Sequence, residues 1–206
     1  SEGFVMRMYN YYSDLLRIRE GITMMGNGDI KADPYMEWVK QSIREDKPFD
    51  EMVRELLTAK GKVWESGAVG YLVADQGMRL CNLSNTFTIF MGTEITCAQC
   101  HDHPFEEVYQ MDFFKMAAFM GEVETNARGG DMMMGGGGNY RAEIDRMNKV
   151  LFEGGKLRPN QREDQNLAQW IGSHRVQVVD TGNNVVRLPH DYKYDDGEPE
   201  MKVDPS

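Results

Sequence analysis

Over the first 120 positions, apolar residues recur every three or four residues, the period of amphipathic helices. Phe4, Met8, Tyr11, Leu15 and Ile18 form one such stripe and predict a helix over 4–19, broken by Gly26-Asn27-Gly28. Asp33-Pro34 reads as an N-cap followed by proline at the first helical position, ahead of a second helix with Tyr35, Trp38, Val39 and Ile43 buried. Lys47-Pro48 ends it, and Asp50 is placed to cap a third helix carrying Val53, Leu56 and Leu57, closed by Lys60-Gly61. A fourth helix is predicted over 83–91, with Leu83, Phe87, Phe90 and Met91 apolar and Gly92 as its stop. A fifth, capped by Asp112 and ended by Gly121, would put Phe113, Met116, Ala117 and Met120 on one face.

The second half changes character. Residues 129–139 (GGDMMMGGGGN) carry too much glycine for regular structure and predict a surface loop. Helical periodicity returns over 140–152 and 162–171. Val176-Gln177-Val178-Val179 and Val185-Val186-Arg187-Leu188 are β-branched and flank the turn-forming Asp180-Thr181-Gly182-Asn183-Asn184, which predicts a β-hairpin. An acidic, proline-bearing tail follows. The pattern as a whole predicts a mainly α fold, with a helical domain over 1–172 and a short β-hairpin and extended tail over 173–206.

A length of 206 residues suits one domain with an extension, and 41% apolar against 27% charged residues is a globular composition. Net charge is −10, which argues against nucleic acid and anionic membranes and suits a basic partner. No stretch approaches the ~18 apolar residues of a membrane span. Neither a signal peptide nor an initiator Met is present, and both ends read as cuts within a longer polypeptide.

The chemistry centres on Cys97-Ala98-Gln99-Cys100-His101, a C-x-x-C-H pentapeptide and the attachment pattern of a c-type haem. Thiols three positions apart reach the two vinyl groups of one porphyrin. The adjoining His101 then lies under the iron as its proximal ligand. Haem c is attached outside the bacterial cytoplasm, so the motif implies a periplasmic or secreted protein.

Thr96-Cys97-Ala98-Gln99-Cys100-His101-Asp102-His103-Pro104-Phe105, continuing through Asp112-Phe113-Phe114 and Ala117-Ala118-Phe119, resembles the cytochrome-type domain of unknown function abundant in planctomycetes. CAQCHDHPF, an aromatic pair and AAF are that family's hallmark. Lys47-Pro48-Phe49-Asp50 is similar too, and Leu188–Asp196 is similar to the stretch leading to a further domain. Glu106-Glu107-Val108-Tyr109 departs from relatives that place Asp and Trp there. The resemblance implies a helical cytochrome-c-like domain, exported and part of a larger chain or complex. It does not supply a reaction.

The candidate cofactor site is therefore Cys97, Cys100, His101, His103 and Phe105, holding haem c for electron transfer to a redox partner or fused domain. His103 lies too close to His101 to reach the opposite porphyrin face, and is expected to bond a propionate or a backbone carbonyl. Phe113, Phe114 and Phe119 are further candidates to wall the haem. If the hairpin turns near Gly182-Asn183, position 190 falls opposite 175, and either His190 or His174 becomes a candidate distal ligand; Met78, Met116 and Met120 compete. Two readings stay open beside the electron carrier. One is a haem enzyme with an open distal site. The other is structural zinc on Cys81, Cys97, Cys100 and His103, an allowed Cys₃His set.

Overall fold

The computed structural model describes residues 1–24, 28–75, 78–120, 122–124, 148–149, 177–179 and 185–205. The fold is mainly helical, with short antiparallel strand pairs. Its elements are α1 (Glu2–Leu15), β1 (Gly21–Met24), β2 (Gly28–Lys31), α2 (Asp33–Arg44), α3 (Phe49–Thr58), β3 (Gly61–Lys62), α4 (Gly70–Val73), α5 (Arg79–Thr86), α6 (Gln110–Ala117), β4 (Glu122–Glu124), β5 (Gln177–Val179), β6 (Val186–Arg187) and β7 (Lys202–Val203).

Helix α1 forms where expected but turns a different face inward. Val5, Tyr9 and Leu16 are buried, while Phe4 and Tyr11 of the predicted stripe are 56% and 60% exposed. Val5, Tyr9, Tyr12 and Leu16 repeat at the same helical spacing one residue out of phase, so periodicity alone could not choose between the faces. The helix ends in a left-handed residue, Arg17 at φ +55, with Ile18 N–H on the Ser13 carbonyl at 2.8 Å. Glycine normally takes such a position. Arg17 is there because its guanidinium is needed: both terminal nitrogens donate to the two oxygens of Asp75, each at 3.0 Å. Asn82 (2.8 Å) and Asn85 (2.9 Å) of α5 donate to the same carboxylate. Burial pulls the Arg17 guanidinium down, but its bonds to Asp75 more than offset this and the net shift is upward.

β1 and β2 pair antiparallel, Gly21 opposite Lys31 and Met24 opposite Gly28, a hairpin missing from the sequence expectation. Helix α2 begins one residue earlier than predicted, with Ala32 at the N-cap and Pro34 in the first turn. Tyr35 and Val39 are buried as expected. The segment Gly67–Val69 and α4 then lie directly on α2. A Cβ on Gly70 would stand 2.5 Å from that of Tyr35, and one on Gly67 would be driven into the Pro34 carbonyl oxygen. Rings of Tyr12, Phe49, Phe90 and Tyr71 follow one another at 6.0, 6.1 and 5.8 Å, joining α1 and α3 to α4 through the end of the α5 segment. Gly61 opens β3 at φ +94 instead of closing α3.

The two C-terminal strands form, but each takes another partner. β5 lies between β3 and β4, and β6 pairs with β7, Val186 opposite Val203. The predicted pairing of 176–179 with 185–188 is thus replaced, and with it the expected placement of His190 opposite position 175. Turn chemistry between two strands reports only on the local chain. Val178, 2% exposed at the centre of a three-stranded sheet, is covered by partners distant in sequence. The glycine-rich 129–139 segment and the 162–171 helix lie outside the described residues, as does the 140–152 helix apart from Asn148 and Lys149, which are helical.

Candidate functional site

The chain leaves α5 through a wide helical turn, Phe87–Met91, and reverses at Gly92, whose φ of +65 suits a residue without Cβ. It then forms one tight turn, Thr96–Gln99. Ile95 and Ala98, both 0% exposed, anchor the inner side of this turn. Cys97 and Cys100 are exposed and free. Glu94 holds the start of the turn. Its carboxylate accepts the Thr96 amide at 3.0 Å, the Thr96 hydroxyl, and the Thr88 hydroxyl at 3.4 Å. The Thr96 hydroxyl first, and then its amide, keep the Glu94 carboxyl below the usual range.

The two neighbouring histidines are set in opposite tautomers by the backbone around them. Nδ1 of His101 lies 2.7 Å from the Asp102 carbonyl oxygen. A carbonyl only accepts, so Nδ1 carries the proton and Nε2 of the neutral ring is bare. His101 is exposed. His103 is the reverse. Its Nδ1 accepts the Glu106 amide at 2.9 Å and the Phe105 amide at 3.3 Å, so its proton is on Nε2. With its own amide on the Val108 carbonyl (2.9 Å), His103 closes the loop after the motif. Phe105 on that loop is 91% exposed, its ring edge-on to His103 at 6.3 Å.

Asp102, between the two histidines, is bonded on three sides. Its carbonyl receives His101. Its carboxylate accepts the amide of Gln110, the first residue of α6, at 2.9 Å. Its own N–H donates to the Tyr194 hydroxyl at 2.9 Å. Gln110, 1% exposed, also donates its side-chain amide to the Gln99 carbonyl at 2.8 Å, and Gln99 reaches Ser84 of α5 at 3.1 Å. The C-x-x-C-H loop is therefore tied to α5, to α6 and to the C-terminal segment.

Other expected residues fall elsewhere. Phe113 and Phe114 are 0% and 3% exposed and belong to the core, whereas Phe119 is exposed. His190 occupies an exposed turn after Pro189, and His174 lies outside the described residues. Cys81 is half-buried on α5. Among the described residues, no three His, Cys, Asp or Glu side chains converge to hold a metal ion, so Cys81, Cys97, Cys100 and His103 do not assemble as a zinc set. Nor does His103 have a nitrogen to offer, since one accepts backbone amides and the other carries the proton.

Glu94, Gln110 and Tyr194 were not foreseen from the sequence. A glutamate two residues before Thr96 is a readable turn signal. Nothing local marks Gln110 or Tyr194, whose partners are 11 and 92 residues away.

Fold and site together define a small helical domain that presents a C-x-x-C-H loop at its surface. The family model PSCyt2, a protein of unknown function (DUF1549), matches residues 1–125. The chain belongs to that family, whose name is of cytochrome type. No curated protein and no solved structure matches the chain. No helix among the described residues is long and apolar enough to cross a membrane.

Proposed function

We propose that this chain is a mono-haem c-type cytochrome domain that carries electrons to a redox partner or fused domain. The observation that carries this reading is the His101 tautomer. Its Nδ1 proton is donated to the Asp102 carbonyl at 2.7 Å, which leaves Nε2 of the neutral ring bare on an exposed residue immediately after Cys100. Haem-ligating and metal-ligating histidines characteristically give their second N–H to such an acceptor, which fixes the ring and raises its basicity.

The rest of the loop fits the same group. Cys97 and Cys100 supply two free, exposed thiols from one turn, with no disulfide to break first. Phe105 offers an uncovered ring on the same loop. His103 keeps an Nε2–H, suited to a propionate carboxylate, while its other nitrogen holds the loop closed. Bound at this site, haem would supply a one-electron iron couple. The protein's part is to hold the imidazole still and keep its basicity constant. Covalent haem of this type also implies an exported, periplasmic or secreted location.

Intact mass under denaturing conditions tests the attachment. Protein matured in a host able to attach haem c is expected to gain one porphyrin, and Cys97→Ser with Cys100→Ser to gain none. A wild-type chain at its bare polypeptide mass would overturn the proposal. Carbon monoxide binding to the reduced form would overturn the carrier assignment and favour an open distal site.

A further inference from the structure

We infer that Tyr194 is a positioning residue for His101, so that the C-terminal segment, outside the family match, completes the site. The inference rests on the haem reading above. It follows from the three bonds that meet at Asp102. The carbonyl that receives His101 Nδ1–H points where the backbone of Asp102 directs it. That backbone is fixed on one side by the Tyr194 hydroxyl, which accepts Asp102 N–H at 2.9 Å, and on the other by Gln110, whose amide holds the carboxylate at 2.9 Å. Gln110 is on a helix. Tyr194 would be a poor support if its segment were loose, and it is not.

The segment is pressed onto α6. A Cβ on Gly197 would stand 2.8 Å from Met111 Cε, 2.9 Å from Leu188 and 3.0 Å from Tyr192. Leu188 and Tyr192 are 1% and 5% exposed. The Tyr192 ring packs edge-on against Tyr194 at 5.6 Å, and its hydroxyl bonds Asp196. The β6–β7 pair closes the segment at its far end. Tyr194 therefore delivers its hydroxyl from a packed support. The strength of the Nδ1–H···O=C bond sets how basic the ligating nitrogen is, and so how strongly the ferric state is favoured.

The test is Tyr194→Phe in the full chain, loaded and unloaded. In the haem-loaded protein the reduction potential should rise, by the equivalent of about a three- to tenfold change in the ferric-to-ferrous ratio, tenfold being about 59 mV for one electron. In the unloaded protein, nitrogen NMR should find wild-type His101 held as the Nδ1–H tautomer and the variant shifted toward Nε2–H. A folded variant with unchanged potential and tautomer overturns the inference. Should the variant fail to fold, amide exchange in the wild type decides: Asp102 N–H should be protected, and exchange at the free-peptide rate overturns the inference. A wild type that never takes up haem defeats the parent reading. A loaded wild type indifferent to Tyr194→Phe defeats only the positioning role.

Discussion

Replacing Asp75 by Ala removes the acceptor on which Arg17, Asn82 and Asn85 all converge. The carboxylate is 7% exposed and receives four bonds of 2.8–3.0 Å, two of them from one guanidinium. Breaking a buried pair from one side costs about 3–5 kcal/mol, because the surviving charge has no partner. Arg17 is 35% exposed, so water recovers part of that, and the lower end, about 3 kcal/mol, is the better figure. For a chain of this size, that is a fall in Tm of about 6–12 °C. Urea unfolding followed by circular dichroism measures it, alongside the double variant Arg17→Met with Asp75→Leu. Removing both charges strands no guanidinium, so the double variant should recover roughly half of the loss. A cost for Asp75→Ala under about 1 kcal/mol, the value of an exposed pair, or a double variant no more stable than the single one, would refute a buried, converging carboxylate at position 75.

Gly70→Ala forces a Cβ to within 2.5 Å of Tyr35 and should cost about 1–3 kcal/mol in urea; Gly67→Ala, aimed at backbone, should cost more. Gly92→Ala has open space and should incur only the left-handed strain, a cost of about 1–2 kcal/mol. Because Glu94 is held below the usual carboxylate range in the folded chain, its hold on Thr96 is fully present above about pH 4.3 and lost as pH falls through the lowered folded value. The Thr96 amide resonance should report that loss, and Glu94→Gln should abolish the titration while keeping an acceptor. His103→Asn retains an acceptor for the Phe105 and Glu106 amides, whereas His103→Ala does not; exchange of the Glu106 amide should be roughly fivefold faster in the alanine variant, for a bond worth about 1 kcal/mol.

The helices at 33–44 and 49–58 were legible because proline and periodic apolar residues point the same way there; those at 79–91 and 110–117 were legible apart from their first residues, and the short α4 was not foreseen at all. The C-x-x-C-H pattern is visible because it is five adjacent residues, and the structure adds that its turn is exposed at both cysteines. Two kinds of information were hidden. One is choice between equivalent faces: α1 carries two apolar stripes, and only contact with α2 selects Val5 and Tyr9 over Phe4 and Tyr11. The other is long-range partnership. Val178 announces a strand but not its neighbours, and Tyr194 reads as a surface residue until Asp102 is found beside it. The tautomers of His101 and His103 belong to this second kind, because each is set by which backbone group the folded loop brings to Nδ1.

Phe105 also bears on how the chain behaves in solution. A ring 91% open to water, with Met91 and Tyr109 also largely uncovered on either side of the motif, is a sticky surface on a freshly made chain. Exposed apolar surface of this kind favours association with another apolar surface. If the proposed haem is attached at Cys97 and Cys100, it would lie beside this surface, and attachment would lower the tendency of the chain to self-associate.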